Sequence, residues 1–324
     1  MESFTRAATV VGYVAIARFL FIGVGFLRLH CARPARPLSA YRRAGQAVYG
    51  VVTGASAGIG LGIAQALVRA GFHVVLLGHL EWELDEAAAG LRTIRPDVVV
   101  RTVVMNVRTA TPEEMERAVA DLADLEISVL VNNVGGTPIA PPLIRPFGTY
   151  SLADVDAVID HNARFMARWT NLMLPLLAHG TSRHRRSLII SMSSLSIFGS
   201  PWFVMYSATK AFNAVFSVAL SRELRTEAAT RYVETLAIVP GDVRSQANNC
   251  PDTDAAPRWD SFGQSIVSKA EYAASRRIRV ISPHWFHDLQ YRLFDLLPEW
   301  VTTKGITDIM RIKKAQFEQQ AKEK

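Results

Sequence analysis

Between residues 46 and 281 the sequence alternates short apolar runs with helical stretches, and that alternation rules out most folds. The runs are 46–53, 73–77, 98–105, 129–131, 187–191, 232–239 and the brief 279–281. They lack polar alternation, which marks strands covered on both faces. Helical periodicity occupies 59–70, 81–94, 152–177 and 206–228. Thr111-Pro112-Glu113-Glu114 has the cap, the proline and the acidic first turn of a further helix start. Strands joined through helices run parallel, so the pattern predicts an α/β fold built on a doubly wound parallel sheet.

Composition agrees with a packed domain. Hydrophobic residues make up 49% and charged residues 20% of the 324, which is too apolar for disorder. The net charge of +7 is scattered rather than gathered into a dense tract, which argues against a nucleic-acid partner. The two cysteines, Cys31 and Cys250, form no metal-ligand spacing and no disulfide framework.

Residues 7–27 are apolar apart from Arg18, and the segment is long enough to cross a bilayer. An arginine near the centre costs roughly 3 kcal/mol on an insertion scale. The eleven Val, Ile, Leu and Phe residues return roughly 3–7 kcal/mol, so insertion wins narrowly. A helix lying in the interface and a re-entrant segment with Arg18 snorkelling to the headgroups are the competing geometries. Arg28, His30, Arg33, Arg36, Arg42 and Arg43 follow as a basic, membrane-flanking cluster, which for a spanning segment places everything from residue 30 onward in the cytoplasm.

Thr53-Gly54-Ala55-Ser56-Ala57-Gly58-Ile59-Gly60 joins the first strand to the first helix. Glycines there let the backbone approach a pyrophosphate, and the helix start offers free N–H groups. The turn therefore points to a dinucleotide, held by Thr53, Gly54, Ser56, Gly58, Ile59 and Gly60. The second strand ends Leu77-Gly78-His79, with no carboxylate before Glu81 to repel a 2′-phosphate. That favours NADP(H) over NAD(H), with His79 placed to contact the phosphate.

Tyr206-Ser207-Ala208-Thr209-Lys210 opens the last long helix of this region. Residues four apart share a helix face, so the spacing predicts an ammonium beside a phenol, lowering its pKa toward the operating pH.

On these motifs the chain resembles the short-chain dehydrogenase/reductase family across about residues 46–245. Asn132-Asn133-Val134-Gly135 is similar to the family's NNxG motif, and Pro240-Gly241-Asp242-Val243 to its PG motif. The resemblance implies a Rossmann-type fold and an oxidoreductase with Tyr206 and Lys210 as catalytic residues. It implies that Asn133 and Gly135 border the cofactor, that Asn106 contacts adenine, and that Val243 and Ser245, beyond Pro240 and Gly241, approach the nicotinamide amide. Asn162, in His161-Asn162-Ala163-Arg164, fits the family's catalytic asparagine, which holds a water beside the lysine. For the catalytic serine two choices stand. A separation of thirteen from the tyrosine selects Ser193, whereas the strand-end pattern of two serines selects Ser194, the favoured choice.

Within the family the chain is similar to membrane-bound very-long-chain 3-oxoacyl-CoA reductases and related 17β-hydroxysteroid dehydrogenases. The residues that carry this are the N-terminal segment, the run from Leu125 through Gly135, the Tyr206–Lys210 motif and Leu296-Leu297-Pro298-Glu299-Trp300. Residues 249–265 and Gly78-His79 depart from that subgroup and leave the substrate open. The expected organisation is a membrane anchor and basic linker over 1–45, a catalytic domain over 46–282 with a substrate region near 246–278, and an aromatic, basic tail over 283–324. Trp285, Phe286, Tyr291, Phe294 and Trp300 suit a membrane surface, an acyl channel or a helix on the sheet's edge, and Lys313, Lys314, Lys322 and Lys324 read as a solvated terminal helix. The resemblance implies NADPH-dependent reduction of a lipophilic ketone, foremost a long-chain 3-oxoacyl-CoA, at the endoplasmic reticulum membrane. A steroid or secondary-metabolite ketone is the alternative substrate, and a catalytically silent membrane scaffold the alternative of another class. Expected partners are membrane lipid, a second copy of the chain or other enzymes of the same membrane.

Overall fold

The computed structural model describes residues 2–31, 38–43, 45–250 and 253–322. Arg33, Pro34, Arg36 and Pro37 of the basic linker, and Lys324, lie outside the described residues.

Seven strands form one sheet: β1 (Val48–Thr53), β2 (His73–Gly78), β3 (Val100–Val104), β4 (Glu126–Asn132), β5 (Ser187–Met192), β6 (Val233–Ile238) and β7 (Val280–Ile281). Their order is β3-β2-β1-β4-β5-β6-β7, and every pairing is parallel. The order reverses direction between β1 and β4. A crevice opens there at the carboxyl ends of the strands, where doubly wound folds place their ligands.

One face of the sheet carries α2 (Gly58–Arg69), α3 (Glu81–Ile94) and α8 (Trp259–Ser275). The other carries α4 (Pro112–Ala120), α6 (Phe165–Ala178) and α7 (Val204–Glu223). The central strands β1 and β5 bury every residue, as their unbroken apolar runs require. The edge strand β3 departs from this, since Val104 stays 52% exposed. Helix α4 starts with a capping box in which Thr111 and Glu114 satisfy each other's backbone N–H groups. Helices α2 and α8 approach at Gly62 and Gly263, where a Cβ would lie 2.4 Å from Trp259 O and 2.3 Å from Gly62 C. Helix α8 thereby gives a structural role to part of the segment that matched no expected pattern.

The expected helix over 152–177 is interrupted. It consists of α5 (Leu152–Ile159), a π turn at Asp160–Arg164, and α6. Such turns widen the backbone ladder and recur at functional sites. Beyond the sheet come α9 (Trp285–Leu296) and α10 (Glu299–Lys322).

The first helix, α1 (Glu2–Cys31), is long and apolar enough over Phe4–Cys31 to cross a membrane. Its last turn is docked on the domain: Leu29 is buried, and His30 Nε2 lies 2.9 Å from Asp288 Oδ2 of α9. Leu38 and Tyr41 join the main core, and Arg43 is buried in an ion pair with Glu126. His30 and Arg43 therefore face protein rather than lipid headgroups, contrary to the expected flanking cluster. Their carboxylate partners lie more than eighty residues away and do not show in local charge patterning.

Candidate active site

The crevice between β1 and β4 begins with the glycine turn. Gly54 and Gly58 adopt φ of +63° and +58°, which L side chains rarely adopt. A Cβ on Gly60 would lie 2.0 Å from Gly54 O, so only glycine lets α2 start so close to the turn. Ala57 caps α2 without a side-chain hydrogen bond, which leaves its first N–H groups for an anion. Asn133 Nδ2 donates to Thr53 O and Gly54 O, both at 3.0 Å. Thr53 Oγ1 accepts from the N–H groups of Asn133 and Val134. The β4 end thus holds the turn in shape.

Other expected cofactor residues rim the same crevice. The loop after β6 closes over the turn, with Ser245 Cβ 3.6 Å from the Cβ position of Gly58. Val243 is buried beside it. Ser56 and Ile59 sit partly covered at the start of α2, and Pro240 is buried where β6 ends. His79 is exposed at the end of β2, and Asn106 is exposed after β3, its Oδ1 accepting from Arg108 N at 3.2 Å. These groups fit a dinucleotide: a glycine cradle for phosphates, an uncapped helix start, and no carboxylate at Gly78-His79.

The chemical groups converge deeper in the crevice. Lys210 Nζ sits 5.5 Å from the Tyr206 ring centre and donates to Met192 O at 3.2 Å. An ammonium has three donors, so this lysine is equipped to hold ribose hydroxyls as well. Gly135 permits the convergence, since a Cβ there would lie 2.4 Å from Lys210 Nζ and 3.0 Å from Asn162 Oδ1. Asn162 is fully buried on the π turn. Its Oδ1 accepts from Gly136 N at 3.0 Å, and its Nδ2 donates to Gly136 O and Val158 O. The two serines separate. Ser193 Oγ donates to Lys210 O at 2.7 Å and is buried. Ser194 is partly exposed and hydrogen-bonds the Tyr206 phenol.

Spacing alone predicts that Lys210 lowers the Tyr206 pKa. The fold does otherwise. Burial of the phenol pushes Tyr206 up to about 12, with the Ser194 hydrogen bond pulling down and the Asp242 charge pushing up. Burial also brings Lys210 down to about 8. In the protein alone both are protonated near neutrality, so the phenol is a proton donor.

Three groups at the site are not visible in motif spacing. Asp242, inside the PG motif, pairs with Lys313 of α10 at 2.5 Å. Lys313 is therefore not part of a wholly solvated face, contrary to expectation. His287 of α9 packs over Gly241, where a Cβ would lie 2.6 Å from its ring. His161 stands next to Asn162, and burial, with the charge of Lys210, brings its pKa down to about 4. Among the described residues, no group of three or more His, Cys, Asp or Glu side chains is placed to hold a metal ion.

Residues 49–254 match the family described as short chain dehydrogenase. The very-long-chain 3-oxoacyl-CoA reductase of Aspergillus terreus is 30% identical over 291 residues, covering 86% of this chain and 76% of that protein. Among solved structures, the bulky-bulky ketone specific alcohol dehydrogenase from Comamonas testosteroni is 21% identical, with a TM-score of 0.60 over 78% of this chain and 92% of its own. The short-chain dehydrogenase from Sphingobium yanoikuyae in complex with NADPH is 22% identical, with a TM-score of 0.60 over 77% of this chain and 92% of its own. These two likenesses concern the fold.

Proposed function

The chain belongs to the short-chain dehydrogenase/reductase family and is an NAD(P)-dependent oxidoreductase, and on that premise we propose that it reduces the ketone of a long-chain 3-oxoacyl-CoA to a secondary alcohol with NADPH. The observation that carries the chemistry is the Tyr206 phenol, hydrogen-bonded to Ser194 and set on one helix face with Lys210. The 30% identity to a very-long-chain 3-oxoacyl-CoA reductase supports the substrate class. The preference for NADPH rests on the missing carboxylate at Gly78-His79.

When bound, NADPH would supply the hydride that the carbonyl carbon takes up. Ser194 donates a hydrogen bond to the carbonyl oxygen as negative charge develops there. Tyr206 gives its phenolic proton to that oxygen, completing the alcohol. Lys210, cationic below about pH 8, stabilises the phenolate left behind. Asn162 fixes the backbone of Gly136, and its role in the family is to hold a water that links Lys210 to solvent and returns the proton. Thr53, Gly54, Ser56, Gly58, Ile59 and Gly60 take the pyrophosphate. His79 and Asn106 take the adenosine half, while Asn133, Gly135, Pro240, Gly241, Val243 and Ser245 take the nicotinamide half. Helix α1 holds the enzyme at the endoplasmic reticulum membrane, with the catalytic domain in the cytoplasm.

NADPH oxidation measured against a panel of 3-oxoacyl-CoA and steroid ketones tests the reading. Long-chain 3-oxoacyl-CoA is expected to give the highest kcat/KM. Tyr206→Phe should lower turnover by on the order of 10²–10⁴ while leaving NADPH affinity near wild type. A Phe variant that keeps more than half of the wild-type rate removes Tyr206 from the mechanism. A preference for steroid ketones moves the substrate class.

A further inference from the structure

A cavity of about 1420 Å³ lies between residues 141–144, the loop 245–250 and helices α9 and α10. Its walls include Leu143, Ile144, Phe286, Ile309, Ile312 and Phe317. Pockets for small ligands run roughly 300–1,000 Å³, so this chamber has room for an extended apolar chain. Tyr206 is not part of the lining. The chamber meets the reaction end at Asp242 and Ser245, and Asp242 is close enough to Tyr206 for its charge to act on the phenol.

Helix α10 supplies the outer wall, and two kinds of contact hold it. Ile306 and Met310 are buried in a small apolar cluster with Ile144, against which Phe203 packs. The Phe203 ring lies 4.5 Å from the ring of Tyr206. Farther along α10, Lys313 Nζ reaches Asp242 Oδ1 at 2.5 Å, and Asn248 Nδ2 donates to the same oxygen at 3.4 Å. Both partners of the ion pair are about two-thirds withdrawn from solvent, which screens the pair less than a surface bridge. The pair sits where the chamber wall, the loop after β6 and the catalytic tyrosine come together.

We propose that the chamber is the binding site for the apolar chain of the substrate, and that Lys313 is a positioning residue whose ion pair with Asp242 latches α10 as its wall. What fills the chamber rests on the reductase reading; the latch does not. The pairing also offsets a carboxylate that is felt by His287 of α9, Cys250 of the loop and Tyr206 of α7.

Cys250 lines the chamber and is a free thiol, so its alkylation reports access. In the full chain carrying Cys31→Ser, Lys313→Met is expected to speed alkylation of Cys250 by a bulky maleimide several-fold, and Lys313→Arg to leave it near wild type. Loss of charge alone works the other way. Lys313 lowers the Cys250 pKa, so removing it reduces the reactive thiolate. Acceleration therefore reads opening of the wall. In turnover, Lys313→Met should raise KM for a long-chain 3-oxoacyl-CoA several-fold with a smaller change in kcat, and Lys313→Arg should restore it. Alkylation that is unchanged or slower in Lys313→Met overturns the latch, as does acceleration that Lys313→Arg shares. If no ketone is reduced by any form while alkylation follows the expected order, the reductase reading falls and the latch stands.

Discussion

Ser193 Oγ is committed to the backbone carbonyl of Lys210 at 2.7 Å, whereas its neighbour Ser194 hydrogen-bonds the Tyr206 phenol. One residue of strand end thus separates a hydroxyl bound to a helix carbonyl from one that faces the Tyr206 phenol. Ser194→Ala should cut turnover by on the order of 10²–10³, the scale of losing one oxyanion donor. Ser193→Ala removes a buried hydrogen bond to a helix carbonyl that keeps its intrahelical donor and should cost about 0.5–1.5 kcal/mol of stability, with a smaller loss of turnover. Turnover and thermal unfolding of both variants decide it. If Ser193→Ala is the more damaging to kcat, the separation of thirteen is the better guide.

The pH dependence follows from burial. Lys210 is brought down to about 8 and Tyr206 pushed up to about 12. Below 8 both carry their protons. Above 8 the lysine becomes neutral while the phenol stays protonated, so the stabilising cation is lost and the donor is not. For ketone reduction, kcat/KM, which reports groups of the free enzyme, should be level near neutrality and fall about tenfold per unit above about pH 8. Lys210→Met should lose most activity and show no break near that pH. A wild-type profile that climbs through pH 8 contradicts the assignment.

The proposed preference for NADPH turns on Gly78 and His79. With no carboxylate there, NADPH should bind at least about tenfold tighter than NADH, a difference near 1.4 kcal/mol. Gly78→Asp should reverse the order by repelling the 2′-phosphate. A Cβ at Gly78 would lie 3.1 Å from Leu84 Cδ2, so this flexible side chain must give way by a few tenths of an ångström. His79→Arg avoids that strain and should strengthen NADPH binding alone. Fluorescence titration of both cofactors checks this, and equal wild-type affinities would end the argument.

The strands, the glycine turn and the Tyr206–Lys210 face were legible because each is a local pattern: an apolar run, a spacing, a period. Even the capping box at Thr111 was readable over four residues. What escaped depends on distant partners. Lys313 reads as a solvated lysine until α10 brings it to Asp242, 71 positions earlier. His30 and Arg43 read as headgroup contacts until Asp288 and Glu126 are folded against them. The π turn at Asn162 gives no sequence signal that distinguishes it from a regular helix. For Tyr206, helical spacing identified the neighbouring cation, but burial governs the pKa, and burial is a property of the whole packed crevice.

The membrane prediction rests on one continuous helix with two different ends. Over most of its length α1 exposes apolar side chains, among them Val10, Val11, Val14, Ile16, Phe19, Leu20 and Phe21. Its thirty residues span about 45 Å, more than a hydrocarbon core of about 30 Å requires. Its last turn is fixed to the domain by Leu29, by His30 on Asp288, and by Arg292 over the Phe26 ring at 5.9 Å. The full chain should therefore resist alkaline carbonate extraction, with the catalytic domain open to protease on the cytoplasmic side. Arg18→Leu should tighten the association by removing an opposing contribution of roughly 3 kcal/mol. Asp288→Ala breaks the docking without touching the apolar stretch, so it should increase cleavage near residue 31 and leave the helix in the membrane. Deleting residues 1–31 should both weaken membrane binding and lower thermal stability, because it removes buried Leu29 and His30, one of the two partners of buried Asp288 beside Arg292. Release of the wild-type protein by carbonate would replace the spanning helix with one lying in the interface. Carbonate release of Asp288→Ala but not of wild type would show that the domain contact, rather than the apolar stretch, holds the enzyme at the bilayer.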